Sequence, residues 1–277
     1  MIKRALGGLI ALLLIAGAIA VITPQNSIAG EIQEYTPNIS AEEYEKRYNE
    51  FYGDATKKME EEGNPAEMLL DDGNALFKKV DGSKGKSCAS CHGQNGEKLK
   101  GAATTYPKYN ASIKGIITLP VQINRCRENQ MGAKPWKYDT PDIVAVELFV
   151  KSLSNGMPIK ISIDGPAKPF YEAGKKMYYT RLGQWNWNCA ICHIKYSGHK
   201  TRANILSTNR HHADHWPTYR MAWQSTGTIQ RRIINDCIKN MRVDKLPEYE
   251  SEDIRNLEFY LTYQANGLPI QVPGLRF

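Results

Sequence analysis

"NWNCAICHIKYSGHK", residues 186–200, sets Cys189, Cys192 and His193 in the order that attaches a c-type haem, and "SCASCHG" at 87–93 repeats the order with Cys88, Cys91 and His92. In such a motif two thiols add to the haem vinyls, and the tethered histidine supplies one axial nitrogen to iron. A single CxxC could instead hold zinc or serve redox exchange. Two copies at equivalent places argue for two covalently bound haem c groups, with His92 and His193 as first axial ligands.

The equivalence extends well beyond the motifs. Gly73, Phe77 and Gly82 lie 15, 11 and 6 residues before Cys88, and Gly174, Tyr178 and Gly183 lie at the same distances before Cys189. Downstream, "YPKY" at 106–109 matches "WPTY" at 216–219, and Cys126 matches Cys237. From those cysteines Tyr138 and Tyr249 are each 12 residues on, and "NGMPI" and "NGLPI" begin 29 on. The second copy carries an insertion between His193 and Trp216, around "HKTRANILSTNRHHADH". This self-similarity is the mark of a tandem duplication.

Within each copy the pattern is helical: "AEMLLDDGNALFKKV" leads into the first motif, and "PDIVAVELFVKSLSNG" and "EDIRNLEFYLTYQANG" both stop at Asn-Gly. Helix, CxxCH, irregular wrap and C-terminal helix is the order of a small class I cytochrome c. The expected fold is therefore all-α, with two tandem class I cytochrome c-like domains at 62–163 and 164–277. A charged helical extension over 30–61 is expected to pack on the first domain.

The chain has 277 residues, 42% hydrophobic and 23% charged, enough for two domains each with its own core. Lys3 and Arg4 precede an apolar run from Ala5 to Ile22 and a small-residue site ending at Ala29, which reads as a signal peptide over 1–29 and places the protein in the periplasm. An uncleaved anchor is the alternative reading. The net charge of +7, to which Lys3 and Arg4 contribute, is too modest to imply nucleic acid. It suits anionic small substrates or acidic partners as well as a plain solvated surface.

The second axial ligand has three candidates. Met157, followed by Pro158, resembles the methionine of simple cytochromes c, but its counterpart in the second copy is Leu268, which cannot bind iron. Both copies keep a cysteine, Cys126 and Cys237. A mutual disulfide would need both to face a shared interface; a thiolate on each iron accounts for the duplication directly. Anionic sulfur favours ferric haem and lowers its potential, which points to sulfur chemistry rather than simple relay. The surroundings differ: "QINRCRENQMG" holds Cys126, whereas "IQRRIINDCIKNMRVDK" places Arg231, Arg232, Lys239 and Arg242 around Cys237, with Arg242 in the position of Met131. Guanidinium groups bind oxyanions through paired hydrogen bonds, so the second haem is the expected reaction site.

"NPAEMLLDDGNALF", "NCAICH", "WPTYRMAWQSTGTIQRRIINDC" and "ANGLPIQVPGLR" together resemble the SoxA family of the SoxAX cytochromes over nearly all of the mature chain. The resemblance implies an L-cysteine S-thiosulfotransferase that joins thiosulfate oxidatively to a cysteine of a SoxYZ-like carrier and pairs with a SoxX-like cytochrome. It also implies that Cys237 is the active-site haem ligand, bearing a persulfide or thiosulfate adduct, and that Cys126 serves a non-catalytic haem. A family arginine is expected four residues before this cysteine, where Ile233 stands; Arg232 is the substitute, with Arg231 and Arg242 behind it. His211, His212 and His215 in "HHADH" read as a polar loop near the haem edge, a metal site being the alternative. Rival functions are a thiosulfate dehydrogenase forming tetrathionate and a non-catalytic dihaem electron carrier.

Overall fold

The computed structural model describes residue 32 and residues 34–201 and 204–277; the expected signal peptide lies outside the described residues. Ser40 caps the first helix, α1 (Ala41–Glu62): its hydroxyl accepts from Glu43 N at 3.1 Å. Tyr44, Tyr48 and Tyr52, four apart, form its one buried stripe. That stripe covers the second half of the chain. Tyr44 lies 5.6 Å from the His211 ring, Tyr52 stacks on Phe277 at 5.1 Å, and the preceding Asn38 bonds to Ile194 O and Ser197 O. The extension therefore does not sit on the first half as expected; its aromatic face finds its partners in the second half's insertion and C-terminal segment.

Each half is built on one close helix pair. In the first, α2 (Ala66–Lys78) leads to the short turn α3 (Ala89–His92), then a hairpin of β1 (Lys108–Asn110) and β2 (Gly115–Ile117), α4 (Leu119–Cys126) and α5 (Pro141–Ser152). The second half repeats the order with α6 (Lys168–Tyr179), a small insertion hairpin of β3 (Lys200–Thr201) and β4 (Asn204–Ile205), then β5 (Thr218–Arg220), β6 (Ser225–Gly227), α7 (Ile229–Arg231) and α8 (Glu252–Gln264). Finally β7 (Gly274–Arg276) pairs in parallel with β5. Helices dominate, but these strands were not in the all-α expectation. Segments of two or three residues carry no readable periodicity.

Glycine sets the crossing in both halves. A Cβ on Gly73 would run into the Ala145 carbonyl of α5, and one on Gly174 into the Asn256 carbonyl of α8. The bare backbone lets the helices touch, and Phe77, Ile143, Val146 and Phe149 fill one core while Tyr178, Ile254, Leu257 and Tyr260 fill the other. A third cluster, including Ile116, Leu148, Phe259 and Ile270, joins the halves. The repeated "NGxPI" segments also meet: Ile159 N bonds to Leu268 O at 2.9 Å and Ile270 N to Met157 O at 3.0 Å. This pairing gives the Met157–Pro158 dipeptide a structural use.

The N-cap threonines of α4 and α7 tie the halves reciprocally. Thr118 Oγ1 donates to Glu250 Oε2 at 2.9 Å, and Thr228 Oγ1 to Asp139 Oδ1 at 3.2 Å. Behind them Gln230 Nε2 donates to Glu258 Oε2 at 2.7 Å, and Lys151 pairs with Glu147 at 3.0 Å. Burial, reinforced by the mutual proximity of the carboxyls, pushes Glu250 up to about 8, and burial pushes Glu258 up to about 7.

Two outcomes follow. Gly174→Ala forces backbone apart at the α6–α8 crossing and is expected to cost about 3 kcal/mol or more in chemical denaturation of the haem-loaded protein. Because Glu250 and Glu258 hold protons more tightly folded than unfolded, their contribution is full below the ordinary carboxyl range. It is lost as pH rises towards the folded values, at up to about 1.4 kcal/mol per pH unit for one group. Melting curves should show Glu258→Gln flattening the decline in stability between about pH 5 and about pH 8.

Candidate functional site

The second CxxCH turn is held from both ends. Asn188 accepts from Ile191 N at 2.8 Å and donates to Tyr179 O at 2.8 Å, so it orders the segment that presents Cys189 and Cys192. His193 then meets the insertion: its Nδ1 is 2.9 Å from Ser207 O and 3.2 Å from Ser207 Oγ. A carbonyl only accepts, so Nδ1 carries the proton and Nε2 keeps its lone pair. Burial pulls His193 down to about 4, leaving a neutral imidazole, the form that binds metal. His92, in the first half, is likewise lowered by burial, with Lys98 adding to the effect.

Each remaining cysteine faces the thiols of its own half. Burial raises the Cys189 and Cys192 thiols, and Cys237 is the next influence on both. Burial pushes Cys88 up to about 11, with Cys126 next. Cys126 and Cys237 are free thiols, and each acts electrostatically on a thiol of its own half's CxxCH. The donor sets fit haem c: each half has two thiols for the vinyls, an imidazole and a further sulfur, with Nε2 left free on His193. Bonds to the two sulfurs' helices differ, because Gln122 Nε2 donates to Cys126 Sγ at 3.2 Å.

Arg232 takes the place of Gln122 in the second half. Counting from the cap threonines, Gln122 follows Thr118 by four residues and Arg232 follows Thr228 by four. The cysteines then fall out of step, since Cys126 ends α4 ahead of a π turn at Arg127–Met131, whereas Cys237 lies within a π turn at Arg232–Ile238. A π turn accommodates one extra residue per turn. It thus explains why the arginine lies five rather than four residues before Cys237. The turns regain step at their ends: Lys84 N bonds to Met131 O and Trp185 N to Met241 O. Met241, not Arg242, therefore occupies the position of Met131, and Arg242 corresponds to Gly132, both with positive φ.

Of the three arginines expected from the sequence, the structure brings Arg232 to Cys237. Burial raises the Cys237 thiol, and the opposing pull comes from Arg232 first and Arg220 after it, with Asp236 raising it further. Arg232 Nη1 pairs with Asp236 Oδ2 at 2.6 Å, and Trp223 Nε1 donates to the same oxygen at 3.1 Å. Arg231 turns to Asp139 at 3.8 Å and lies 4.6 Å over the Trp223 ring. Arg242 lies 5.4 Å over the exposed Trp185 ring. Sequence reasoning missed Arg220 and Ser207. Arg220 had a signal, since it replaces Asn110 at the corresponding position of the repeated hairpin; Ser207 lies in an insertion with no counterpart.

Two of the histidines of "HHADH" converge on Asp214, since His211 Nδ1 lies 3.5 Å from its Oδ2 and His215 Nδ1 2.7 Å from its Oδ1. His212 Nε2 is 3.2 Å from the Tyr178 hydroxyl, and His211 is also 3.3 Å from Glu45 on α1. Among the described residues, no group of three or more His, Cys, Asp or Glu side chains is arranged to hold a metal ion.

Helix pairs around two CxxCH motifs, each with a further cysteine, define a c-type cytochrome, and residues 72–159 match the SoxA/TsdA cytochrome c domain family. The chain is 36% identical over 214 residues to the L-cysteine S-thiosulfotransferase subunit SoxA of Pseudaminobacter salicylatoxidans, covering 77% of this chain and 73% of that protein. With the same subunit of Rhodovulum sulfidophilum it shares 33% over 257 residues, covering 90% and 88%. SoxXA from P. pantotrophus, a crystal structure, superposes with a TM-score of 0.75 at 31% identity, covering 81% of this chain and 84% of that one. The chain belongs to the SoxA family.

Proposed function

We propose that this chain is the haem-bearing subunit of an L-cysteine S-thiosulfotransferase, working at Cys237. The observation that carries the reading is the contrast between the halves: Arg232 beside Cys237, held by Asp236, against neutral Gln122 beside Cys126. The substrates are thiosulfate and a cysteine thiol on a SoxYZ-like carrier, and a SoxX-like cytochrome is the partner subunit. Their coupling forms one sulfur–sulfur bond, giving a cysteine S-thiosulfonate, one proton and two electrons. Bound haem c supplies the acceptor for those electrons.

The chain's own groups divide the remaining tasks. Cys237 offers sulfur to the incoming substrate, and Arg232 receives the sulfonate end through paired N–H donors. Asp236 and Trp223 fix Arg232, and Ser207 fixes the ring of His193 so that its Nε2 is presented to iron. Two haems are inferred, the first of which His92 and Cys126 would hold and the second His193 and Cys237. The domains are read as a duplicated pair at 62–163 and 164–277, after a signal over 1–29 that directs the protein to the periplasm and an extension at 30–61. The fixed order of helix pair, hairpin, capping threonine and π turn in both halves supports the duplication.

Cys237→Ala is expected to lower carrier-dependent cytochrome reduction by thiosulfate by roughly a hundredfold or more, with mass spectrometry detecting added sulfur on Cys237 of the parent protein. Cys126→Met should leave that activity largely in place while raising the first haem's potential, since an anionic ligand is lost. Undiminished turnover in Cys237→Ala would overturn the reading. Full-rate tetrathionate formation without carrier would replace it with thiosulfate dehydrogenase.

A further inference from the structure

Arg220 ends strand β5 and is only 6% exposed. Its Nη2 is anchored twice, donating to the main-chain oxygen of Phe277 at 2.8 Å and to Asn204 Oδ1 at 3.1 Å. Its Nε is buried and without a partner. Such a donor on a cation is costly to leave unmet, commonly about 1–3 kcal/mol. The side chain lies 5.5 Å from the Trp223 ring, whose Nε1 donates to Asp236, which in turn pairs with Arg232. Arg220, Trp223, Asp236 and Arg232 thus form a continuous set running up to Cys237.

The charges in this set do not balance. Two guanidinium groups, Arg220 and Arg232, share a single carboxylate, Asp236, and that carboxylate's bonds go to Arg232 and Trp223. Burial first and the neighbouring Arg232 second pull Arg220 down to about 10, against Asp236, Cys237 and Tyr48. The first half lacks both cations. Asn110 holds the position in the first half that Arg220 holds in the second and accepts from Ser112 N and Oγ within its own turn, while Gln122 holds the position of Arg232. The fold does not require an arginine at this hairpin position; only the half containing Cys237 has one.

We propose that Arg220 is a second substrate-binding residue of the Cys237 site, supplying with Arg232 the paired positive charge that admits a dianion, the sulfonate end of thiosulfate. This rests on the reading of Cys237 as the reaction site. A dianion meeting two fixed guanidiniums satisfies the open Nε and offsets the positive charge that Asp236 leaves unpaired. Carriage on a strand tied to the main chain at Phe277 gives Arg220 a fixed position that a flexible surface arginine lacks.

The test uses the haem-loaded protein with its partner cytochrome. Arg220→Gln should raise KM for thiosulfate about tenfold or more, with kcat falling much less, and weaken binding of sulfate, an unreactive dianion followed by calorimetry, by a similar factor. Arg220→Lys, which keeps the charge but loses the Nε donor, should fall between the two. Unchanged KM and sulfate affinity in Arg220→Gln, with haem spectrum and melting temperature intact, overturns the proposal. If Arg220→Gln fails to load haem, Arg220→Lys decides: a KM raised several-fold supports a substrate contact, and an unaltered KM rejects it. Cys237→Ala run in parallel separates the two readings, because full activity there removes the reaction site itself, whereas its loss beside a normal Arg220→Gln KM removes only the role of Arg220.

Discussion

Backbone contact between helices at Gly73 and Gly174 is the constraint on which the remainder of each half depends. With no side chain at these points, α2 lies directly on α5 and α6 on α8. Each half then brings its CxxCH turn near enough to the cysteine of the following helix for their thiols to influence one another. A methyl group at either glycine would separate the helices and, with them, the two walls that face the haem thiols. Because the same contact is made twice, the two halves start from one geometry.

What separates them is the position of a single bulge. In the first half the π turn follows Cys126; in the second it contains Cys237 and begins at Arg232. Moving the bulge past the cysteine changes which side chain of the preceding turn accompanies the sulfur, with a guanidinium in one half and an amide in the other. The reactive character assigned to the second half thus comes from local helix geometry plus two arginines, on a frame otherwise shared with its neighbour.

The halves are also fastened together with polar groups that are costly to bury singly. Thr118 and Thr228 each cap their own helix and donate to an acid of the opposite half, and burial raises the nearby carboxyls of Glu250 and Glu258. The extension α1 closes over the second half through its tyrosines and reaches His211 through Glu45. Together these contacts make the described chain from residue 32 one compact body.

The sequence alone made legible the CxxCH spacing, the paired helices of each half and the two further cysteines; such a spacing is what haem vinyl groups require, which makes Cys88, Cys91, Cys189 and Cys192 the candidates for attachment. Only the tertiary structure decided which charges surround Cys237. Arg231 and Arg232 are adjacent in sequence, yet one turns to Asp139 and the other to Cys237, because neighbouring residues on a helix point about 100° apart. Arg220 is distant in the chain and reaches the site through strand pairing, and Ser207 reaches His193 from an insertion with no repeat counterpart. α1 found its partners in the second half rather than the first for the same reason: side-chain faces and long-range contacts are settled by packing, which residue spacing along one segment does not encode.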